Sequence, residues 1–411
     1  MIFKEIERCR ICKSKSLELV FDLGEFCLCG YFPAKNEPDP PIVPLQLVKC
    51  CDCDLVQLRH SVLPDELYTP GYGYRSGINN TMKNHLKSIV EKVCATVSLQ
   101  EGDIVLDIGS NDGTLLGFYP PSGIKKIGID PLAGYFSQFY QDDIESVSSY
   151  FTANIYFNAT QGEKAKVITS IAMFYDLEDP MQFVGDIKKT LHEEGIWILE
   201  QSYLPMMLNR VAFDTICHEH LEYYSLKQLK FLMNENDLQI LDVELNEING
   251  GSFCVWVSHK NGYYSPKEEK LNGFIAYEKS LRLDTLAPYE EFKRKSFEVK
   301  RKLVGFLEQE KTRGKRIYVY GASTKGNTIL QFCGIGKNLI IAAADRNPKK
   351  FGRRTPGTGI PIISENEARR GNPDYFLVLP WHFKDEFLHR EENFLRKGGH
   401  LIFPLPDLLV V

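Results

Sequence analysis

The sequence predicts an α/β protein in three parts, a small cysteine-rich module followed by two α/β units. Three observations carry this. Seven of the eleven cysteines fall within residues 1 to about 65. Short apolar strands then alternate with helical patterns in two separate series, the signature of mostly parallel sheets covered by helices. Each series also contains a strand that runs into a turn of small residues and then a helix start. At 411 residues the chain exceeds one ordinary domain.

Taken in order, residues 1–65 combine the cysteines with the proline-rich "EPDPPIVP" and little helical periodicity, which predicts a loop-rich module. Cys9-x-x-Cys12 and Cys50-x-x-Cys53 supply the four thiolates that tetrahedral zinc takes in a closed structural site. So small a module buries too little surface to be secure alone, and zinc would add the missing folding free energy. Cys51 is an alternative ligand to Cys50, and Cys27 and Cys29 form a competing pair. Residues 66–262 form the second part. The aromatic "YTPGYGYRSGINNTM" leads into the amphipathic "MKNHLKSIVEKVCATV", followed by strands "DIVLDIG", "KKIGID", "KVITSIAMF", "GIWILEQS", "LQILDVELNEI" and "GSFCVWVSH". Residues 263–411 form the third, a charged helical connector to about 313 and then strands "RIYVYG", "NLIIAAAD", "YFLVLP" and "HLIFP".

A net charge of -5, with 43% hydrophobic and 25% charged residues, leaves no basic surplus for a nucleic-acid backbone. No run approaches a membrane span, and the N-terminus, charged from residue 4, lacks the apolar core of a signal peptide. A cytoplasmic protein is expected, and a monomer is compatible with the sequence.

The first turn, "VLDIGSNDGTLL", carries Asp107, Gly109, Asn111, Asp112 and Gly113. Its glycines are four apart and do not match the G-x-G-x-x-G of dinucleotide sites, so the turn suits a cofactor without a pyrophosphate. The next strand ends at Asp130, where a carboxylate can accept from both hydroxyls of a ribose. The turn resembles the S-adenosylmethionine motif of class I methyltransferases. The second turn, "YGASTKGNT", offers Ser323 and Lys325 at a helix N-terminus, a cradle for a diphosphate that does not match a P-loop. Asp345, Lys349 and Arg353 stand beyond it as weaker nucleotide candidates. A third stretch, "FDTICHEH", puts Cys217, His218, Glu219 and His220 side by side. The histidines are two apart, which excludes the H-E-x-x-H zinc spacing on a helix.

Read together, the two C-x-x-C knuckles with "CDLVQL", the "YGYRSGINNTM" stretch, "SNDGTLL", "HEHLEYYSL", "YGASTKGNT" and "PGTGIPI" resemble, in that order, the S-adenosylmethionine-dependent sugar C-methyltransferases of deoxysugar pathways. The resemblance implies a small zinc-binding N-terminal domain, a class I methyltransferase Rossmann-like domain and a second Rossmann-like domain that holds a nucleotide-linked, probably dTDP-linked, 4-keto-6-deoxysugar. It implies an enolate formed beside the ketone and methylated at carbon 3. His220 is then the expected base, with Glu219 orienting the imidazole or the sugar, and Tyr72 and Tyr74 as donors to the oxyanion. His218 is expected to be structural. The resemblance puts a tyrosine where this chain has Cys217, which makes Cys217 a candidate substrate contact; if that tyrosine holds the sugar, this chain uses Tyr72 or Tyr74 instead or accepts a different sugar. Tyr175 and Asp176, in "MFYDLEDP", stand near the donor pocket, where Asp179 before Pro180 also reads as a helix cap. Carbon-5 methylation, O- or N-methylation, and a non-catalytic zinc-ribbon binding protein are the competing readings.

Overall fold

The computed structural model of the chain describes residues 2–69, 74–121 and 123–411. Tyr72 lies outside the described residues.

The N-terminal module is not loop-rich. Two long strands, Leu17–Cys27 and Ile42–Cys50, pair antiparallel, and Val56–Leu58 extends the sheet. Pro44 sits inside the second strand at an irregularity in the pairing with Asp22 and Glu25, where a missing N–H is tolerated. The fourth strand comes from elsewhere. Glu222–Tyr223, directly after "HEHL", pairs with Val56 and Gln57.

The middle unit is a seven-stranded sheet of β1 (Ile104–Ile108), β2 (Lys125–Ile129), β3 (Ile144–Val147), β4 (Ala165–Ile171), β5 (Leu191–Ser202), β6 (Leu238–Asn246) and β7 (Ser252–His259). Their order is 6-7-5-4-1-2-3, with β7 antiparallel to both neighbours and the pairs from β5 to β3 parallel. All five residues of β1 are buried, as expected of a central strand covered on both faces. Helix α1 (Asn80–Thr96) begins where the Asn79 side chain accepts from Thr81 N at 2.8 Å. Its buried Met82, Leu86, Ile89, Val90 and Val93 recur at helical spacing and pack with Val105, Val167, Ile196 and Ile198.

The C-terminal sheet holds β8 (Ile317–Tyr320), β9 (Ala343–Asp345), β10 (Ile362–Ser364), β11 (Tyr375–Val378), β12 (His400–Phe403) and β13 (Leu409–Val410), in the order 10-9-8-11-12-13. All pairs are parallel except the last. Helix α2 (Ala287–Thr312), expected as a connector, buries Tyr289, Phe292, Leu303 and Leu307 in one core with Phe21 and Phe26 of the N-terminal module and β8. The module therefore wedges against both units. Its Cys9, Ile11, Cys50 and Leu55 join the core of the middle unit instead. Among the described residues no helix is long and apolar enough to cross a membrane.

Candidate active site

Cys9, Cys12, Cys50 and Cys53 place their sulfur atoms within 4.8 Å of one another, with Cys9 Sγ 3.6 Å from Cys53 Sγ and Cys12 Sγ 3.5 Å from Cys50 Sγ. A tetrahedron of Zn–S bonds sets sulfurs ~3.8 Å apart, so the thiol set fits zinc. Cys51 points to solvent. Cys29 is buried against Thr328 and Gln331 of the C-terminal unit. Among the described residues this is the one cluster fit to hold a metal, and Cys217, His218 and His220 form none.

A cavity of about 270 Å³ lies over the carboxyl ends of β1, β2, β4 and β5. Gly109, at φ +72°, makes its floor, where a Cβ would come within 3.0 Å of Met173 Cγ. Asp107 is buried, accepts from Thr169 Oγ1 at 2.6 Å, and is pushed up to about 7 by burial. Asp130 accepts from Asn111 N at 3.0 Å and Leu132 N at 2.6 Å, one amide per oxygen, and burial raises its pKa too. Lone pairs remain on both oxygens of Asp130. Asn111 lines the cavity, but Asp112 and Gly113 lie outside its lining. The Asp112 carboxylate instead accepts from Gly77 N at 3.0 Å and Thr114 Oγ1 at 2.6 Å, tying the segment after Tyr74 to the turn. Gly113 is needed because a Cβ there would meet the Tyr140 ring at 2.9 Å. Both residues thus pack within the turn and against Gly77 and Tyr140, while Asn111 is the one of the three in the lining. Five carboxyl groups line it, those of Asp107, Asp130, Asp176, Glu178 and Glu200, and among the described residues no Lys, Arg or His does.

A second cavity, about 310 Å³, lies between the two α/β units. It shares Tyr74, Met82, Ala172, Asp176 and Asn249 with the first, so the two spaces meet at a common wall. His220 lines the second cavity. Its Nδ1–H donates to Thr215 O at 2.7 Å, which leaves the Nε2 lone pair free, and its ring lies 4.2 Å from that of Tyr175. Thr215 O orients the imidazole, which leaves for Glu219 the other expected role, orienting the sugar. Burial and the nearby Lys325 ammonium push the His220 pKa down to about 3. It is therefore neutral at physiological pH. Glu219 lines the same space, and both its oxygens lack a hydrogen-bond partner among the described residues. Burial raises its pKa, favouring the neutral carboxyl. Asp176, pushed well above the carboxylate range by burial, accepts from the Tyr68 hydroxyl at 2.9 Å through one oxygen.

The three expected substrate contacts, Cys217, Ser323 and Lys325, fall in different surroundings. Cys217 is fully buried in the core and outside the cavity lining, its thiol pushed well up by burial. The turn that aims His220 inward aims its neighbour away. His218 likewise leaves the site, donating from Nε2 to Val43 O at 3.1 Å in the N-terminal module. Ser323 and Lys325 do line the cavity. Ser323 Oγ accepts from Gly326 N at 3.0 Å as the cap of α3 (Thr324–Cys333), and its O–H remains available as a donor. Lys325 Nζ donates to Asn249 O at 2.6 Å and stands 3.7 Å from Asp214, using part of its three-donor capacity. Arg346, Lys350 and Arg390 add cations to this wall; sequence reasoning missed all three and His382, which come from loops and short helices without a motif, and Lys349 and Arg353, which it named, lie outside the lining.

The strand order, the glycine turn at the end of β1 and the acidic cavity over it define an S-adenosylmethionine-dependent class I methyltransferase, an enzyme. Family models narrow the class. A "Putative zinc binding domain" matches residues 9–68, a methyltransferase domain residues 79–243, and a C-methyltransferase C-terminal domain residues 247–406. The three successive parts of the chain are thus each similar to a different domain model, in the order zinc-binding, methyltransferase and C-methyltransferase C-terminal. C-methyltransferase NovU of Streptomyces niveus is 29% identical over 413 residues, spanning 100% of this chain and 98% of that protein. The tRNA U34 carboxymethyltransferase of Campylobacter lari is 29% identical over 110 residues, 25% of this chain and 37% of that protein. Among solved structures, the magnesium protoporphyrin IX methyltransferase of Synechocystis overlays with a TM-score of 0.35 at 13% identity, over 46% of this chain and 90% of that one.

Proposed function

We propose that this C-methyltransferase acts on carbon 3 of a nucleotide-linked 4-keto-6-deoxysugar, with a dTDP carrier, through an enolate formed by His220. The observation that carries the reading is the meeting of the two cavities beside a histidine whose Nδ1–H is bound to Thr215 O, so that Nε2 carries the lone pair. Asp107, Gly109, Asn111 and Asp130 would hold S-adenosylmethionine, which supplies an electrophilic methyl group when bound. Its positive charge suits a wall of carboxyl groups without cations. Ser323 and Lys325 would take the diphosphate, leaving the sugar at the shared wall.

In this arrangement His220 Nε2 removes the proton from the carbon beside the ketone, because Thr215 O already holds the proton on Nδ1. A diphosphate on Lys325 would offset one of the two causes that depress the imidazole pKa, strengthening the base when substrate is present. Glu219, in the lining beside His220, would orient the sugar, and Tyr74, in the shared wall, would donate to the oxyanion. The four thiolates are assigned to a structural zinc ion, since all positions of a tetrahedron are filled and none is open to substrate.

The test is incubation with dTDP-4-keto-6-deoxyglucose in heavy water, with and without S-adenosylmethionine, read by NMR and mass spectrometry. Deuterium at carbon 3 and a methylated product there are expected. Exchange at carbon 5 would move the reaction to the other side of the ketone, and a methyl group found on oxygen with no exchange at either carbon would remove the enolate.

A further inference from the structure

Glu200 takes no part in this scheme, yet its side chain lines the first cavity. It stands near the carboxyl end of β5, 2% exposed. His85 Nε2, from α1, donates to its Oε1 at 2.6 Å, and Asn246 Nδ2, from the end of β6, donates to its Oε2 at 2.8 Å. Asn246 is itself fixed, because its Oδ1 accepts from Ile248 N at 3.0 Å. The carboxylate is thus locked from two sides with only part of its lone-pair capacity used. A carboxylate held in this way in a cavity wall is a site for a cation.

Its place in the sheet says which cation. Asp130 follows β2 and Glu200 belongs to β5, the outer members of the row 2-1-4-5 beneath the cavity. Strands spaced ~4.8 Å apart put these outer members ~14 Å from each other. A ligand whose ribose lies at Asp130 and whose chain crosses Gly109 and Ala172 ends beside Glu200. We propose that Glu200 binds the α-ammonium group of the methionyl end of the methyl donor, with His85 and Asn246 holding it in position. The proposal rests on the reading that the donor occupies this cavity.

The test is calorimetric binding of two donor fragments, S-adenosylhomocysteine and 5′-methylthioadenosine, which share the adenosyl group and differ in the amino-acid end. Glu200→Gln is expected to weaken S-adenosylhomocysteine about 10- to 100-fold and to leave 5′-methylthioadenosine within about twofold. Equal losses for both ligands, or no loss for either, would overturn the assignment. A measurement on the unaltered enzyme guards against a misfolded variant: the deaminated analogue of S-adenosylhomocysteine, which keeps the carboxylate, should bind about 10- to 100-fold more weakly than the parent, and equal affinity refutes the ammonium contact. If the unaltered enzyme binds neither adenosyl fragment, the cavity reading falls and the proposal with it.

Discussion

In the middle unit, Asp130 accepts one amide from the preceding turn, Asn111 N, and one from two residues onward, Leu132 N. In the C-terminal unit, Asp345 does the same with Ala322 N at 2.8 Å and Asn347 N at 2.7 Å. The backbone device is shared, and the surroundings differ. The first cavity is lined by five carboxyl groups and no cation among the described residues; the second sets five cations, Arg75, Lys325, Arg346, Lys350 and Arg390, beside five carboxyl groups, those of Asp176, Glu219, Asp345, Glu365 and Glu386. A strand-end aspartate therefore organises a turn in either unit, and the side chains around it decide what charge of ligand the turn can serve. That division fits a cationic donor in one space and an anionic diphosphate in the other.

The largest effect should come from losing what clamps both units together. Chelating zinc, or Cys50→Ser, is expected to lower Tm by more than about 10 °C and to abolish binding of both ligands, by differential scanning calorimetry and titration. Retained binding with a melted N-terminal module would show that the two cavities stand without it. Next, His220→Ala should reduce turnover about 10²- to 10⁴-fold while both dissociation constants stay within twofold, since the histidine serves neither binding site. Substantial residual turnover would assign the proton to another group.

Smaller effects should separate the cavities. Asp130→Asn is expected to weaken the donor about tenfold and leave the sugar nucleotide unchanged, and Lys325→Met to do the reverse. Losses of both ligands in either variant would break the comparison. The smallest effect is one of pH. Asp107 has its pKa raised to about 7 by burial, so below that value the free protein carries a protonated carboxyl that a cationic donor must deprotonate. Donor affinity should therefore rise as pH increases through 7, by a few-fold, and Asp107→Asn should flatten the dependence measured by calorimetry.

Much of the architecture was legible because it is local. Apolar strands joined by glycine turns announce themselves, and the positions of Asp107, Gly109 and Asp130 follow from the strand ends. The order within a motif was a poorer guide to contacts: Asp112 and Gly113 share the turn with Asn111 but serve the packing of Gly77 and Tyr140. Cys217 was misjudged for a similar reason, since residues of one turn point in different directions, whereas His218, expected to be structural, packs on Val43 O. Glu200, Asn249 and Arg390 were invisible because only the pairing of distant strands and loops brings them to the cavities. The N-terminal module was underestimated for the same cause, as its strands carry no turn signature and its sheet is incomplete without Glu222–Tyr223.

That borrowed strand has a consequence for synthesis at the ribosome. The zinc knuckles and the Val56–Leu58 strand emerge long before Glu222–Tyr223 does, so the nascent N-terminal sheet presents an unpaired edge during translation of much of the methyltransferase unit. The residue expected to abstract the proton sits two positions before the strand that closes this edge. Maturation of the catalytic pocket and shielding of an aggregation-prone edge are therefore a single folding event, and a truncated chain ending near residue 65 would have neither.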